Sequence, residues 1–540
     1  MYILRPSTPT PGPSPIKGEG RLLATGDKQA LRARLSPVAT LFQSWAVPLA
    51  LALLALFISA CGRATEAPPA SPPPSLPETT ATVDTPAPLT PVETSAPTPG
   101  SLPPTPDELP PTRYSLIVLM NYTQHLLAVD EMIETYNHTS QTLDELPLMV
   151  EPLHYPGTFT LKGMAWEDGT PIQDYRQERG RFYLALPKPW QPGERLALSL
   201  NYELLLPSPV PSAEVRPIPF GYTLRQTNLV DWFPFIPPYV PEKGWLAHDA
   251  GYFGEHLAYD LADFDVSLKF TDDRDLVVAA SAPSQIEGDW LRYQHEAARS
   301  FAFSVSPEYR VYSATVGSTT VLSYAFPIHP TAGQAVLNTT AEALKLYNEL
   351  FGEYPRPLVS AVEADFLDGM EYDGMYFLSN GFYNLYQGTP GEYLTTIAAH
   401  ETAHQWFYGQ VGNDQALEPW LDEALCTYAE RLYFERLHPE ALDWWWQYRV
   451  NYYEPRGAVD GPIYNPAGYR AYRDAVYLNG AVFLEELRKQ VGDEAFFGFL
   501  KDYVSQKRGK IATREDFFRI LGEHTREDLT PLVGAYFEGQ

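Results

Sequence analysis

The pattern of apolar and polar positions divides the chain into four stretches. An apolar run over 45–60 follows Arg32 and Arg34 and ends at Cys61. At about 16 residues it is marginal for crossing a bilayer, where roughly 20 are typical. Basic flank, apolar stretch and small closing residues match the three parts of a secretory signal, so 1–60 reads as a leader. From 61 to 112 the periodicity vanishes. Pro, Thr, Ser and Ala dominate, and segments such as Ser71-Pro72-Pro73-Pro74 cannot continue a helix or a central strand. This stretch is expected to be an extended, flexible tether.

From 113 onward short apolar runs alternate with Gly, Pro and Asp. Strands are expected at 114–119, 126–129, 158–161, 181–186 and 196–202. Others follow at 264–270, 276–280, 300–305 and 320–326, which together predict an all-β domain over 113–329. Near Thr331 the period lengthens to that of a helix. A helix is expected at 332–351, closed by Gly352, then a strand at 357–364. Helical spacing recurs at 392–408, 419–437, 477–491, 493–505 and 514–524. The fold class expected is therefore multidomain: an N-terminal all-β domain, then a mostly helical α/β domain over 330–540.

Composition adds three constraints. The 540 residues are 44% hydrophobic and 13% aromatic, enough for a large core. The formal charge of −28 repels nucleic-acid backbones and anionic membrane surfaces, so nucleic acid is a poor candidate partner. Peptides with positive N-termini would be attracted. The two cysteines differ in context. Cys426 lies among apolar residues at helical spacing and reads as a buried free thiol. Ile58-Ser59-Ala60-Cys61 resembles a bacterial lipobox, in which the cysteine becomes the lipidated N-terminus. That places the chain outside the cytoplasm, touching the membrane only through an N-terminal lipid.

Candidate chemistry sits at the start of the helical pattern, in His400-Glu401-Thr402-Ala403-His404. Residues four apart share one helix face, so both imidazoles can reach one zinc ion. Glu401 follows the first ligand and is placed to act as a base rather than a ligand. Eighteen residues separate His404 from Glu423, in Trp420-Leu421-Asp422-Glu423-Ala424. Two His and one Glu leave a fourth position open, as a hydrolytic zinc site requires. The run Trp444-Trp445-Trp446 reads as packing, and His438, before Pro439, as a loop residue.

HETAH, eighteen residues, then Glu in WLDEALCTYAE resembles the gluzincin aminopeptidases. Gly369-Met370-Glu371 resembles that family's Gly-x-Met-Glu-Asn loop. Val476-Tyr477-Leu478-Asn479-Gly480-Ala481 resembles its Tyr-x-Lys-Gly-Ala segment, and Asp263-Phe264-Asp265-Val266 the end of its N-terminal domain. The resemblance covers roughly 113–540. It implies a saddle-like β domain on a thermolysin-like catalytic domain, with one zinc per chain and peptides as substrates. It further implies zinc ligands His400, His404 and Glu423, general base Glu401, and Tyr477 as donor to the developing oxyanion. Glu371 would pair with the substrate's free α-ammonium, while Gly369 and Met370 shape the backbone edge beside which substrate lies. Three positions depart from the pattern: Asp368 before the glycine, Tyr372 for the usual Asn, and Asn479 for the usual Lys. Gln226 is a candidate for the family's amine-binding glutamine. Two alternatives share the motif: a zinc endopeptidase or other hydrolase indifferent to a free N-terminus, and a non-catalytic surface peptide-binding protein. The second should show a broken ligand or base, and neither is broken.

Overall fold

The computed structural model describes residues 109–208, 218–241 and 243–538. The expected leader, Cys61 and nearly all of the expected tether lie outside the described residues. The alternating pattern that begins at 113 forms the strand Thr112–Asn121, which buries Tyr114, Leu116, Val118 and Met120. Period-two alternation is what a sheet covered on one face demands. This strand pairs in parallel with Ala262–Phe270 and antiparallel with Leu126–Tyr136. They form the middle of a seven-stranded sheet, extended by Arg195–Leu205 and Phe159–Trp166 on one side. Trp290–Ala298 and Ser284–Glu287 extend it on the other. A three-stranded and a four-stranded sheet complete the β-rich part, around a core in which Trp232 meets Phe233 and Phe303 edge-on.

The boundary expected at 329/330 falls too late. Arg310–Val316 pairs with Thr319–Ala325, which runs parallel to Leu358–Ala364. With Met375–Ser379 and Gly369–Tyr372 these make one five-stranded sheet beneath the helices. The helix Pro330–Phe351 is the crossover that a parallel pair requires. A change of period marks where a helix starts, and a βαβ unit recruits strands from both sides of its helix.

Two expected helices also differ from the structure in form. The one at 392–408 ends sooner, as Tyr393–Ala403, because the chain turns back after His404. Tyr408 takes φ 121° there, and its N–H donates to Val411 O. The one at 477–491 opens as a wide π-helical turn, Asp474–Asn479, before the α-helix Gly480–Val491. Such turns interrupt a regular helix, often where a side chain must be re-aimed. Among the described residues no helix is long and apolar enough to cross a membrane.

Candidate active site

Tyr347, on the crossover helix, has its hydroxyl 3.2 Å from Ala399 O and 3.0 Å from Ala429 O. It thereby ties the helix carrying His400 to the helix Trp420–Leu437 that carries Glu423. Glu423 sits in the first turn of its helix, where the macrodipole favours a carboxylate. His400 Nε2 lies 3.2 Å from His404 Nε2 and 3.2 Å from Glu423 Oε2, and His404 Nε2 lies 3.6 Å from that oxygen. Zinc bonds of about 2.0–2.1 Å at tetrahedral angles give ligand–ligand edges of about 3.3–3.4 Å. The triad fits that ion.

The opposite ring nitrogens are already engaged. His404 Nδ1 donates to Phe407 O at 3.0 Å, and His400 Nδ1 is 2.9 Å from Glu430 Oε1. This leaves both Nε2 atoms to face the metal position. Glu430 is fully buried and accepts from Trp445 Nε1 at 2.8 Å and from Arg449 Nη2 at 2.7 Å. Burial alone would raise its carboxyl, but Arg449 overrides this and holds it below the ordinary value. Trp445, expected only to pack, therefore also positions this carboxylate. Burial would likewise raise Glu423, yet the two imidazoles bring it well below the usual carboxylate range. Cys426 is a buried free thiol against Phe407 O, as its sequence context suggests.

Glu401 is buried on the same helix, and its Oε2 has no hydrogen-bond partner among the described residues. Burial pushes it up to about 8, with the imidazoles opposing and Glu371 and Glu423 reinforcing the rise. Tyr477 stacks on His400, ring centroids 6.1 Å apart, and its hydroxyl donates to Glu423 Oε1. Burial and Glu423 keep that phenol well above its usual value, so it remains a donor.

The segment expected as a Gly-Met-Glu loop is an edge strand. Gly369–Tyr372 pairs antiparallel with Met375–Ser379 and ends the five-stranded sheet. The turn between them needs Gly374, at φ 79°, because Ser281 O would lie 2.2 Å from a Cβ there. Gln405, next after His404, fixes the hairpin to the metal triad. Its Oε1 accepts from Gly374 N at 2.9 Å, and its Nε2 donates to Tyr372 O at 3.1 Å. A Cβ on Gly369 would stand 2.0 Å from Glu401 Oε1. Glycine is what lets the edge strand approach the base.

The strand borders a cavity of about 370 Å³ lined by Met370, Glu371 and Tyr372, with Glu255 and Gln415 also in its wall. Carboxylate oxygens of Glu255, Glu371 and Glu423 come within 4.8 Å of one another, as do ligand atoms of Glu371, Glu401 and His404. Gln415 Nε2 donates to Glu371 Oε1 at 3.2 Å. The departures from the family pattern now have places. The Tyr372 hydroxyl reaches Asp231 Oδ2 at 3.4 Å in the cavity wall. Asp368 adopts φ 88° ahead of the strand, and Asn479 donates to Gly457 O.

The structure thus gathers His400, His404, Glu423, Glu401, Gly369, Met370, Glu371 and Tyr477 at one locus. Gln226 is not among them. It is buried, with its amide donating to Tyr309 OH at 2.5 Å and its Oε1 accepting from Asp365 N at 2.6 Å. Glu255, from the β-rich part, stands beside Glu371 in its stead. Sequence reasoning also missed Glu430, Gln405 and Gln415. Only Glu430 left a signal there, seven residues and about two turns beyond Glu423 on one helix.

Residues 335–536 match the peptidase family M1 domain. The chain is 27% identical over 222 residues to aminopeptidase M1 of Arabidopsis thaliana, covering 38% of this chain and 25% of that one. With aminopeptidase N of Lactobacillus helveticus it shares 26% over 304 residues, 51% of this chain and 36% of the other. The matches span about a quarter to a third of these curated relatives. An M1 zinc metallopeptidase from Deinococcus radiodurans superposes with a TM-score of 0.57 at 19% identity, covering 80% of this chain and 94% of that one. A structure of its mutant bound to a Tyr-Ser-Ala substrate gives 0.56 at 18%, with the same coverage. Motif spacing, ligand geometry, the matched domain and the shared two-domain fold all agree on a peptidase family M1 domain over 335–536, similar to the gluzincin aminopeptidases.

Proposed function

We propose that the chain is a zinc-dependent metallopeptidase that removes single residues from the free N-termini of peptides. The observation that carries the exopeptidase reading is the convergence of Glu255, Glu371 and Glu423 beside the two histidines. Like charges gathered in a buried site are costly unless a cation joins them. An α-ammonium offers one charge and three donors. The solved Deinococcus neighbour bound to Tyr-Ser-Ala supports peptides as the substrate class.

Zinc held by His400, His404 and Glu423 supplies Lewis acidity, which lowers the pKa of water and polarises a carbonyl. The chain's own groups do the rest. Glu371 and Glu255 hold the α-ammonium, which sets the first peptide bond over the triad. The outer edge of Gly369–Tyr372, the last strand of its sheet, accepts the substrate backbone as an added strand. Glu401, through its unengaged Oε2, takes the proton of the attacking water and passes it to the leaving amine. The Tyr477 hydroxyl, 100-fold or more being the usual worth of such a donor (about 10²–10³), turns to the developing oxyanion.

Full-length protein assayed on free and N-acetylated aminoacyl substrates, with and without chelator, tests this reading. Chelator-sensitive cleavage of the free-amine series alone is expected. Equal cleavage of both series would leave a zinc hydrolase without N-terminal selectivity, and no cleavage of either a peptide-binding protein. The lipobox-like segment ending at Cys61 supports placing this activity outside the cytoplasm on a lipid anchor. Cys61→Ser should then release the protein from membranes, and a variant still bound at mature size would rule the anchor out.

A further inference from the structure

We propose that Glu151, His154 and His256 form a second divalent-metal site in the wall of the substrate cavity. The short 3₁₀ helix Glu151–His154 brings its first and last residues to one side, since residues three apart eclipse in that geometry. His256 directly follows Glu255 in an irregular segment of the β-rich part. Its Nε2 lies 3.1 Å from Glu151 Oε2, and His154 Nε2 lies 3.6 Å from the same oxygen. The ligand atoms of all three fall within 4.8 Å of one another. A plain ion pair needs one imidazole. Here two converge on a single carboxylate oxygen with their rings perpendicular, at 87°.

Glu151 and His256 are buried, while the His154 side chain is 28% exposed and has room to close on an ion. Gly180 makes that room, because a Cβ there would stand 2.2 Å from His154 Nε2. Two imidazoles and a carboxylate suit borderline divalent cations, zinc, cobalt(II) or nickel(II), over magnesium or calcium. All three residues line the cavity that Glu371 and Tyr372 line from the opposite part of the chain. An ion at this position faces the substrate space and is separate from the His400–His404–Glu423 triad.

Calorimetric titration of the metal-stripped full chain with zinc alone tests the proposal. The wild type should take up two equivalents, the second at least tenfold more weakly than the first. His256→Ala and Glu151→Gln should each take up one, with unchanged far-ultraviolet circular dichroism. Gly180→Ala, which removes no ligand, should weaken the second equivalent and leave the first unaltered. His404→Ala should retain the weak equivalent and lose the tight one. Saturation of the wild type at one equivalent, or two equivalents retained by His256→Ala, overturns the second site. Either result leaves the catalytic reading intact, since that reading is tested separately by the loss of the tight equivalent in His404→Ala and by cleavage of free against acetylated substrates.

Discussion

Gly369→Ala is the smallest change that should separate metal binding from catalysis. The added methyl would lie 2.0 Å from Glu401 Oε1 and 2.7 Å from Ile397 Cγ2, where ordinary contact begins at 3.4 Å. Ile397 and Glu401 share the helix that carries His400, and that helix is buried from Leu394 to its end. The edge strand is in turn held by Gln405 through Gly374 and Tyr372. Neither wall can yield cheaply, so the Glu401 carboxylate must retreat by more than about 1 Å. A misplacement of that size costs about 10²-fold in rate, or about 2.7 kcal/mol of barrier. The three heavy atoms nearest that methyl belong to Glu401 and Ile397 and not to His400, His404 or Glu423. The expected result is a kcat lowered about 100-fold with one tightly bound zinc retained, measured by steady-state kinetics and elemental analysis on one preparation. A kcat within threefold of wild type at full zinc occupancy would refute the argument that the edge strand closes on the base.

Four further changes probe the remaining parts. Glu401→Gln keeps the volume and removes the base, so turnover should fall about 10²–10⁴-fold with zinc content unchanged. Glu371→Ala should lower kcat/KM for free-amine substrates at least about tenfold, since truncating one partner of a buried charge pair costs about 2–5 kcal/mol. An unchanged preference for free over acetylated substrates would remove Glu371 from amine recognition. Glu430→Gln should weaken zinc binding about 10–100-fold through His400, and should lower stability by about 3–5 kcal/mol because Arg449 loses its buried partner. Equilibrium dialysis and denaturant unfolding read the two effects separately. Tyr477→Phe should lower kcat more than it raises KM, and an effect confined to KM would deny the hydroxyl a part in the transition state.

The parts of the site that could be read from the sequence are those whose geometry is local. His400 and His404 lie on consecutive turns of one helix segment, so their spacing alone implies convergence. Glu423 could be added because its segment also carries helical spacing. Gly369–Tyr372 and Met375–Ser379 resisted reading as strands because they are almost wholly buried and show no alternation. Glu430 lies on the face of Glu423, but an acid at that spacing is usually solvated. Only Arg449 and Trp445, brought in from a separate segment, make it a buried support for His400. The strand expected at 320–326 looked like the end of the β domain, since nothing in its own pattern records that Leu358–Ala364 pairs with it.

Glu255 shows most sharply what a linear reading leaves out, and why the omission bears on selectivity. It lies in an irregular segment with no period, in the β-rich part, whereas Glu371 and Glu423 come from the helical part. The three carboxylates meet only when both parts are folded together. Zinc compensates Glu423, and the Gln415 amide supports one oxygen of Glu371. The negative potential of these carboxylates lies in a buried site, where charge interactions are stronger than at the surface. A protonated N-terminus relieves that potential, while an acetylated one adds a carbonyl oxygen to it. In the proposed reaction, discrimination therefore arises from repulsion left unrelieved by the wrong substrate as much as from contacts made to the right one. The edge strand and the metal would serve any peptide, and under the proposed function the convergence of Glu255 with Glu371 would restrict them to the first residue.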